Sequence, residues 1–349
     1  MSFETLCTLW FVILAFFLAG YAILDGFDLG VGILHPFLAR SDHERRIFVN
    51  AIGPIWDGNE VWLIVYGGAL FAAFPVAYAA IFSGFYNAFM IVLFALIFRA
   101  VSLEFRGKLQ SPFWRRVWDG GFFLGSFLAA LVFGVAIGNG MRGVEILPGG
   151  SLGATFLDLL NPYAITVGLL TIAMFAMHGA IFLYLKTPKG ELHDRLREWM
   201  WHTWGLFLVL YVLTTIFTLV AVPRATAGLA AAAEAGRFPW AGLIVVVNVL
   251  AIANIPRAIY HGRPGQAFLS SCLNIAALVG LFSIALYPHL VPSLTDPDGG
   301  LTIFNTASGE NTLWVMTFVA GIGTPLVLAY TAIVYWTFRG RVELTEHSY

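Results

Sequence analysis

The sequence predicts an all-α, polytopic membrane protein of about nine transmembrane helices, with its N-terminus outside and its C-terminus in the cytoplasm. Three observations predict it. Of 349 residues, 59% are hydrophobic and 11% are charged, against about 25% charged in an ordinary soluble domain. The apolar residues gather into runs long enough to cross a bilayer, and the cations gather on alternate connections. A soluble globule cannot hide so much apolar surface, and a disordered chain has the opposite composition. A net charge of −1 supplies no field to attract nucleic acid or another polyanion.

A transmembrane helix needs about 20 mostly apolar residues to cross roughly 30 Å of hydrocarbon. The first such run, Leu6–Leu24, follows a segment with Glu4 and no Lys or Arg, so it reads as a retained helix rather than a cleaved signal peptide. Val61–Ala80 and Ile81–Ala100 form a nearly continuous apolar stretch, with a turn expected at Phe74-Pro75. Gly120–Gly140, Tyr163–Leu185 and Trp204–Val222 follow. Trp240–Ile255 is the shortest run, and Ala267–Leu290 and Leu313–Phe338 complete the set. With the N-terminus outside, the inner side holds every one of the 19 Lys and Arg residues except Arg142, Arg224 and Arg237.

Two outer loops, 141–162 and 291–312, are long and polar. Trp10, Trp62, Trp118, Trp240, Trp314 and Tyr335 stand near span ends, as interfacial aromatic belts do. There is no internal repeat and no Gly-rich phosphate loop, and the inner connections are too short for a nucleotide-binding domain. An ATP-driven pump acting by itself is thereby excluded. Cys7 and Cys272 belong to no CxxC pair or Cys/His cluster and read as small apolar residues within spans.

The informative residues are acids where acids are expensive. Asp25 and Asp28 lie at the inner end of the first span, and Asp57 and Glu60 at the start of the second, each pair at i,i+3 spacing on one helix face. A carboxylate near a helix centre costs about 2.5–3.5 kcal/mol, less toward the interface. Four in such company need partners, water or protons. Groups that can be either charged or neutral are what a proton relay requires. Asp57 is the foremost candidate, because Trp56-Asp57-Gly58-Asn59-Glu60 is polar inside apolar flanks. The plainer alternative is that these acids cap helices or pair with cations. Arg99 would then be a partner for Asp57 or Glu60, and Asp28 and Asp42 wet acids beside a loop.

His178 is the one histidine well inside a span, whereas His35, His202, His261 and His289 lie near or beyond span ends. A membrane haem with two axial imidazoles needs a second histidine at similar depth, and Met174 and Met177 share the helix of His178. A haem held by this chain alone is therefore not expected, and His178 reads as hydrogen-bonded between helices. Asn87, Asn248, Asn254 and Asn274 read as interhelical glue, and Gly67-Gly68 and Gly120-Gly121 as close-packing sites.

Several motifs together carry a resemblance. They are Asp25-Gly-Phe-Asp-Leu-Gly-Val-Gly32, Glu44-Arg-Arg46, Gly53-Pro-Ile-Trp-Asp-Gly-Asn-Glu-Val-Trp62, Gly67-Gly-Ala-Leu-Phe-Ala-Ala-Phe-Pro75, Tyr78-Ala-Ala-Ile-Phe-Ser-Gly84 and Phe98-Arg99. Further on come Glu104-Phe-Arg-Gly-Lys108, Trp114-Arg115, Trp118-Asp119, Gly134-Val-Ala-Ile-Gly-Asn139, Tyr287-Pro-His-Leu-Val-Pro-Ser293, Leu301-Thr-Ile-Phe-Asn-Thr-Ala-Ser308 and Thr312-Leu-Trp-Val-Met316. Over nearly the whole chain the sequence resembles subunit II of the cytochrome bd-type quinol oxidases. The WDGNEVW form is shared with a branch that includes the cyanide-insensitive oxidases, and Glu60 stands where some relatives carry Gln.

The resemblance implies a bacterial inner-membrane quinol:O₂ oxidoreductase that reduces O₂ to water. It implies a four-helix bundle over 1–140, an outer loop over 141–162, a second bundle over 163–290, another outer loop over 291–312, a last helix over 313–338 and a cytoplasmic tail over 339–349. It further implies a haem-bearing subunit I with two haem b and one haem d, a small single-span subunit, and no haem in this subunit, although some relatives hold a quinone there. In the family, acids on the first two helices form the entrance of a proton path. Asp25, Asp28 and Asp57 stand in those motifs, with Glu60 beside them and Arg99 as an ion-pair partner. A purely structural partner subunit is the alternative role. An independent proton-coupled transporter is disfavoured by the lack of an inverted repeat.

Overall fold

The computed structural model describes residues 1–223, 238–296 and 299–344. Helix α1 (Phe3–Leu38) starts at Ser2, whose hydroxyl accepts the Thr5 N–H at 3.3 Å, and runs unbroken for 36 residues. Such a helix is about 54 Å long, well beyond the roughly 30 Å of hydrocarbon. The end expected at Leu24 is therefore corrected. The helix continues through Asp25 and Asp28 because side chains of other helices satisfy them, so the two acids do share a face.

Helix α2 (Asp42–Ile52) opens with a capping box, in which the Ser41 hydroxyl accepts the Glu44 N–H and the Glu44 carboxylate accepts the Ser41 N–H. Helix α3 (Trp56–Ala73) ends at Phe74-Pro75, the expected break. A second break, at Phe85, was not expected. It separates α4 (Pro75–Gly84) from α5 (Tyr86–Phe105), so three helices stand where two continuous spans were expected. Helix α4, at 10 residues, is too short to cross a bilayer alone.

The remaining helices are α6 (Pro112–Arg142), α7 (Pro162–Lys186), α8 (Glu191–Ala221), α9 (Phe238–Tyr260), α10 (Pro264–Leu286) and α11 (Glu310–Thr337). Among the described residues, eight helices are long and apolar enough to cross a membrane: α1 and α5 to α11. Helix α3 is 18 residues long, and its polar first turn dilutes its hydropathy.

Helix α1 packs against α3, α6, α7 and α10; α5 lies on α6, α7 on both α6 and α8, and α9 on α10. The α1–α7 crossing is set by glycine. A Cβ at Gly30 would stand 1.9 Å from the Phe175 carbonyl oxygen, and one at Gly179 2.6 Å from the Gly30 carbonyl carbon. Helix α11 lies against α1 and α3, and Leu313 is its one buried residue.

Not everything is helical. Strands β1 (His289–Pro292) and β2 (Gly300–Thr302) pair antiparallel within the second long loop. That loop is tied to the first, since Val144 N–H donates to Pro292 O and Leu294 N–H to Val144 O, each at 3.0 Å. Ser308 closes the end of α3, its N–H bonding Ala73 O at 2.8 Å and its hydroxyl Ala72 O at 2.6 Å. Hairpin and loops thus satisfy carbonyls that apolar spans leave open.

Some packing expectations are also corrected. A side-chain carbon at Gly67, Gly68 or Gly120 would meet nothing within 4 Å, whereas one at Gly121 would stand 2.5 Å from Ser102 Oγ. Trp10 and Trp62 are buried within the chain rather than facing an interface, Trp10 donating to Leu313 O at 3.2 Å. Asn87 is exposed and Asn274 is buried, its side-chain atoms without hydrogen-bond partners, while Asn248 donates to Tyr211 at 3.0 Å and Asn254 to Ser270 at 2.9 Å. Arg224, Arg237 and residues 345–349 of the tail, all used in the sequence reading, lie outside the described residues, as does the side chain of Trp240.

Candidate functional site

The four acids flagged by their cost do not fall into one environment. Asp25 is fully buried on α1 and faces Arg99, equally buried on α5. The guanidinium grips the carboxylate with two bonds, Nη1 to Oδ2 at 2.9 Å and Nη2 to Oδ1 at 2.5 Å. This forked geometry is the strongest that a carboxylate–cation pair offers. Glu60 of α3 approaches the same nitrogen, its Oε1 3.4 Å from Nη2, and its side chain remains 22% exposed. Arg99 was expected beside Asp57 or Glu60. It meets Glu60, but its main partner is Asp25.

One turn along α1, Asp28 is also fully buried, not a wet acid beside a loop. Its Oδ2 accepts from Asn59 Nδ2 at 2.7 Å, and Asn59 Oδ1 accepts from the Tyr335 hydroxyl of α11 at 2.9 Å. Its Oδ1 has no hydrogen-bond partner. One buried guanidinium is therefore shared among acids from two helices, and Asp28 has only a neutral amide. Charges so placed are stable only when compensated.

Asp57 points the other way. It is exposed, on a stripe of α3 formed with Val61, Ile64, Gly68 and Phe71 that no other described residues cover. The acids thus grade from Asp25 and Asp28, at the centre, through the partly open Glu60 to the outward Asp57.

A second charged cluster ties the helix ends nearest α2. Asp119 of α6 accepts from Arg106 Nε at 2.6 Å and from Arg45 Nη1 at 2.7 Å. Asp42 accepts from Arg106 at 2.8 Å and Arg115 at 2.9 Å, and Glu44 from Arg195 of α8 at 2.6 Å. Burial, the largest single influence on Asp42, pushes its carboxyl up, but the bond and charge of Arg106, with Arg115 and Arg46, together outweigh it and hold it below the ordinary value. Glu44 is likewise held down: burial acts upward, and the Arg40 N–H and Arg195 prevail. Buried His35 brings Nε2 to 3.5 Å from Asp119 Oδ1.

His178 sits where expected, between helices. Its Nε2 donates to the Ile23 carbonyl at 3.0 Å, its Nδ1 is 2.6 Å from Ser271 Oγ, and its ring stacks on Phe268. Both ring nitrogens are engaged. Among the described residues no three or more His, Cys, Asp or Glu side chains are grouped to hold a metal ion.

Two residues of the site carry no signal of that role in the sequence: Tyr335, whose place near a span end suits an interfacial aromatic, and Asn59, a neutral amide within the Trp56–Glu60 string. His35 likewise stands near a span end. Nothing local marks Tyr335, whose partner is 276 residues away.

The comparisons with known proteins agree with this architecture. The family model for cytochrome bd terminal oxidase subunit II matches residues 6–338. The chain is 37% identical to subunit 2 of the cytochrome bd-I ubiquinol oxidase of Escherichia coli strain K12, covering 98% of this chain and 96% of that protein. It is 35% identical to subunit 2 of the cytochrome bd ubiquinol oxidase of Bacillus subtilis strain 168, covering 97% of each. The fold matches a chain of the bd oxidase from Geobacillus thermodenitrificans with a TM-score of 0.77, at 17% identity over 96% of this chain and 98% of that one. The chain belongs to the cytochrome bd terminal oxidase subunit II family.

Proposed function

We propose that this multi-pass membrane protein is the haem-free subunit II of a quinol:O₂ oxidoreductase in the bacterial inner membrane. Its N-terminus is outside and its C-terminus cytoplasmic. A haem-bearing subunit I, with two haem b and one haem d, performs the redox chemistry, and a small single-span subunit completes the complex. Quinol oxidation releases protons outside, and O₂ reduction to water takes protons from the cytoplasm, so charge separation needs a wet inward path and no pumping cycle. This chain supports subunit I and lines that path. The engagement of both His178 nitrogens supports the absence of a haem here.

The observation that carries the reading is the graded acid set around Arg99. Asp28, Asp25 and Glu60 hold and pass protons at the centre, Arg99 keeps the negative charge tolerable, and Asp57 meets the neighbouring subunit. A carboxylate turned toward lipid costs about 2.5–3.5 kcal/mol at the bilayer centre and less, though still a penalty, in the first turn of α3, where Asp57 stands. The Asp57 stripe of α3, with its bare Gly68, is therefore read as the face that meets subunit I rather than acyl chains. Membranes carrying Asp57→Asn or Asp28→Asn are expected to lose quinol-oxidase turnover with haem absorbance intact. Wild-type turnover with normal assembly would reject the path.

The forked, fully buried Asp25–Arg99 pair also favours a second reading, a staple that holds α1 to α5 and makes the chain a structural partner alone. Under that reading Asp25→Asn removes assembled haem and proton uptake together.

A further inference from the structure

Beyond that reading, and resting on it, we propose a second proton entry. A hydrophilic file runs along one face of α1 from the Asp119 cluster through His35 and Ser126 to Asp28. Positions 28, 32 and 35 of α1 share a face, as do 119, 122 and 126 of α6, and these two faces meet. A Cβ at Gly32 would stand 2.0 Å from Ser126 Oγ and 3.2 Å from the Phe122 ring. The Phe122 ring in turn meets the His35 ring edge-on, with centroids 5.4 Å apart.

Along this seam several polar atoms are buried without a hydrogen bond, His35 Nε2 having only the Asp119 carboxylate at 3.5 Å. Asp28, His35 and Ser126 are each 0% exposed, and Asp28 Oδ1, Ser126 Oγ and both His35 nitrogens lack hydrogen-bond partners. A further acceptor follows from covalent chemistry. Pro36 has no N–H to give to the Gly32 carbonyl four residues earlier, at the level of the Ser126 hydroxyl. So many orphaned polar atoms in a dry seam would carry the full desolvation penalty, whereas water hydrogen-bonded among them removes it. Asp28 and His35 are about 10.5 Å apart along the axis, a gap that one hydroxyl and a few waters span.

At its cytoplasmic end the file is charged and partly exposed. Asp119, Arg106 and Arg45 face His35, and Asp119 is joined through Arg106 to the half-exposed Asp42. Only O–H and N–H bonds are made and broken. Each proton delivered to Asp28 is matched by one taken from water at the Asp42–Asp119 cluster, with His35 and the Ser126 hydroxyl as stations between them.

The test uses the complete oxidase complex in liposomes, with proton uptake followed by a pH-sensitive dye after an oxygen pulse. Ser126→Val and Ser126→Thr are near-isosteric and differ by the hydroxyl; His35→Leu and His35→Gln differ by polarity. Ser126→Val and His35→Leu are expected to slow uptake about two-fold, because rates through parallel entries add and the other entry stays open, with haem absorbance and the KM for quinol unchanged. Ser126→Thr and His35→Gln should retain most of the rate. Wild-type uptake in Ser126→Val and His35→Leu overturns the proposal, as does equal slowing by threonine and valine. Should the Ser126→Val complex fail to assemble, the His35 pair decides. Asp28→Asn in the same assay separates the two ideas: slowing by that variant alone removes the second entry and leaves the acid centre standing, whereas no slowing in any variant removes both.

Discussion

Replacing Arg99 with methionine would leave the fully buried Asp25 carboxylate without its cation. Both side chains are 0% exposed, and both Asp25 oxygens are bonded to that one guanidinium. Removing one partner of such a pair costs about 3–5 kcal/mol, because the remaining charge is buried and uncompensated. Glu60, 3.4 Å from the same nitrogen, would lose its cation as well. Replacing the whole pair, as Asp25→Leu with Arg99→Met, removes both desolvation penalties and is expected to be less destabilising than either single change. The assay is denaturation of the purified complex in detergent, followed by haem absorbance and size-exclusion chromatography. A loss below about 1 kcal/mol for Arg99→Met, the range of exposed ion pairs, would refute the reasoning, as would simple additivity in the double variant.

Three further outcomes follow from the geometry. Asp42 is held below its ordinary carboxyl value, so its ion pairs contribute stability above about pH 4 that is lost as pH falls through the folded value. Asp42→Asn should therefore speed amide exchange in α2 at pH 7 and leave it unchanged near pH 2, the contribution being small because the side chain is 43% exposed. Tyr335→Phe removes the hydroxyl that orients Asn59 against Asp28 and should lower stability by about 1 kcal/mol, read from the same detergent denaturation. Gly30→Val places a branched side chain where a single carbon already comes within 1.9 Å of the Phe175 carbonyl, and should abolish assembly, read as loss of haem absorbance in the membrane.

Hydropathy and charge made most of the fold readable. The apolar runs mark the long helices to within a few residues at α7, α9, α10 and α11, because burial in lipid is written in composition. Elsewhere the limits were physical. Leu24 looked like an end because two acids follow it, and only the arrival of Arg99 from 74 residues away lets α1 carry on. Phe85 carries no proline or glycine signal strong enough to announce a break. The β1–β2 hairpin lies in a polar stretch whose pairing partners are loops, which no periodicity records.

The acids themselves were visible because charge in an apolar run is conspicuous. Their division of labour was not, since Asp57 and Glu60 are three residues apart and differ only in exposure, Asp57 being open and Glu60 half-covered beside Arg99. On the proposed reading, the outward turn of Asp57 and the open Gly68 belong to a partner surface that a single sequence does not contain.

The central claim is that protons reach the partner's haems through these carboxyls. Its most direct test is cytoplasmic proton uptake by the complete complex after an oxygen pulse, compared between wild type and Asp57→Asn at equal haem content. The account predicts uptake slowed at least about ten-fold by the asparagine and restored by glutamate at the same position. Unchanged uptake in the asparagine complex would contradict it.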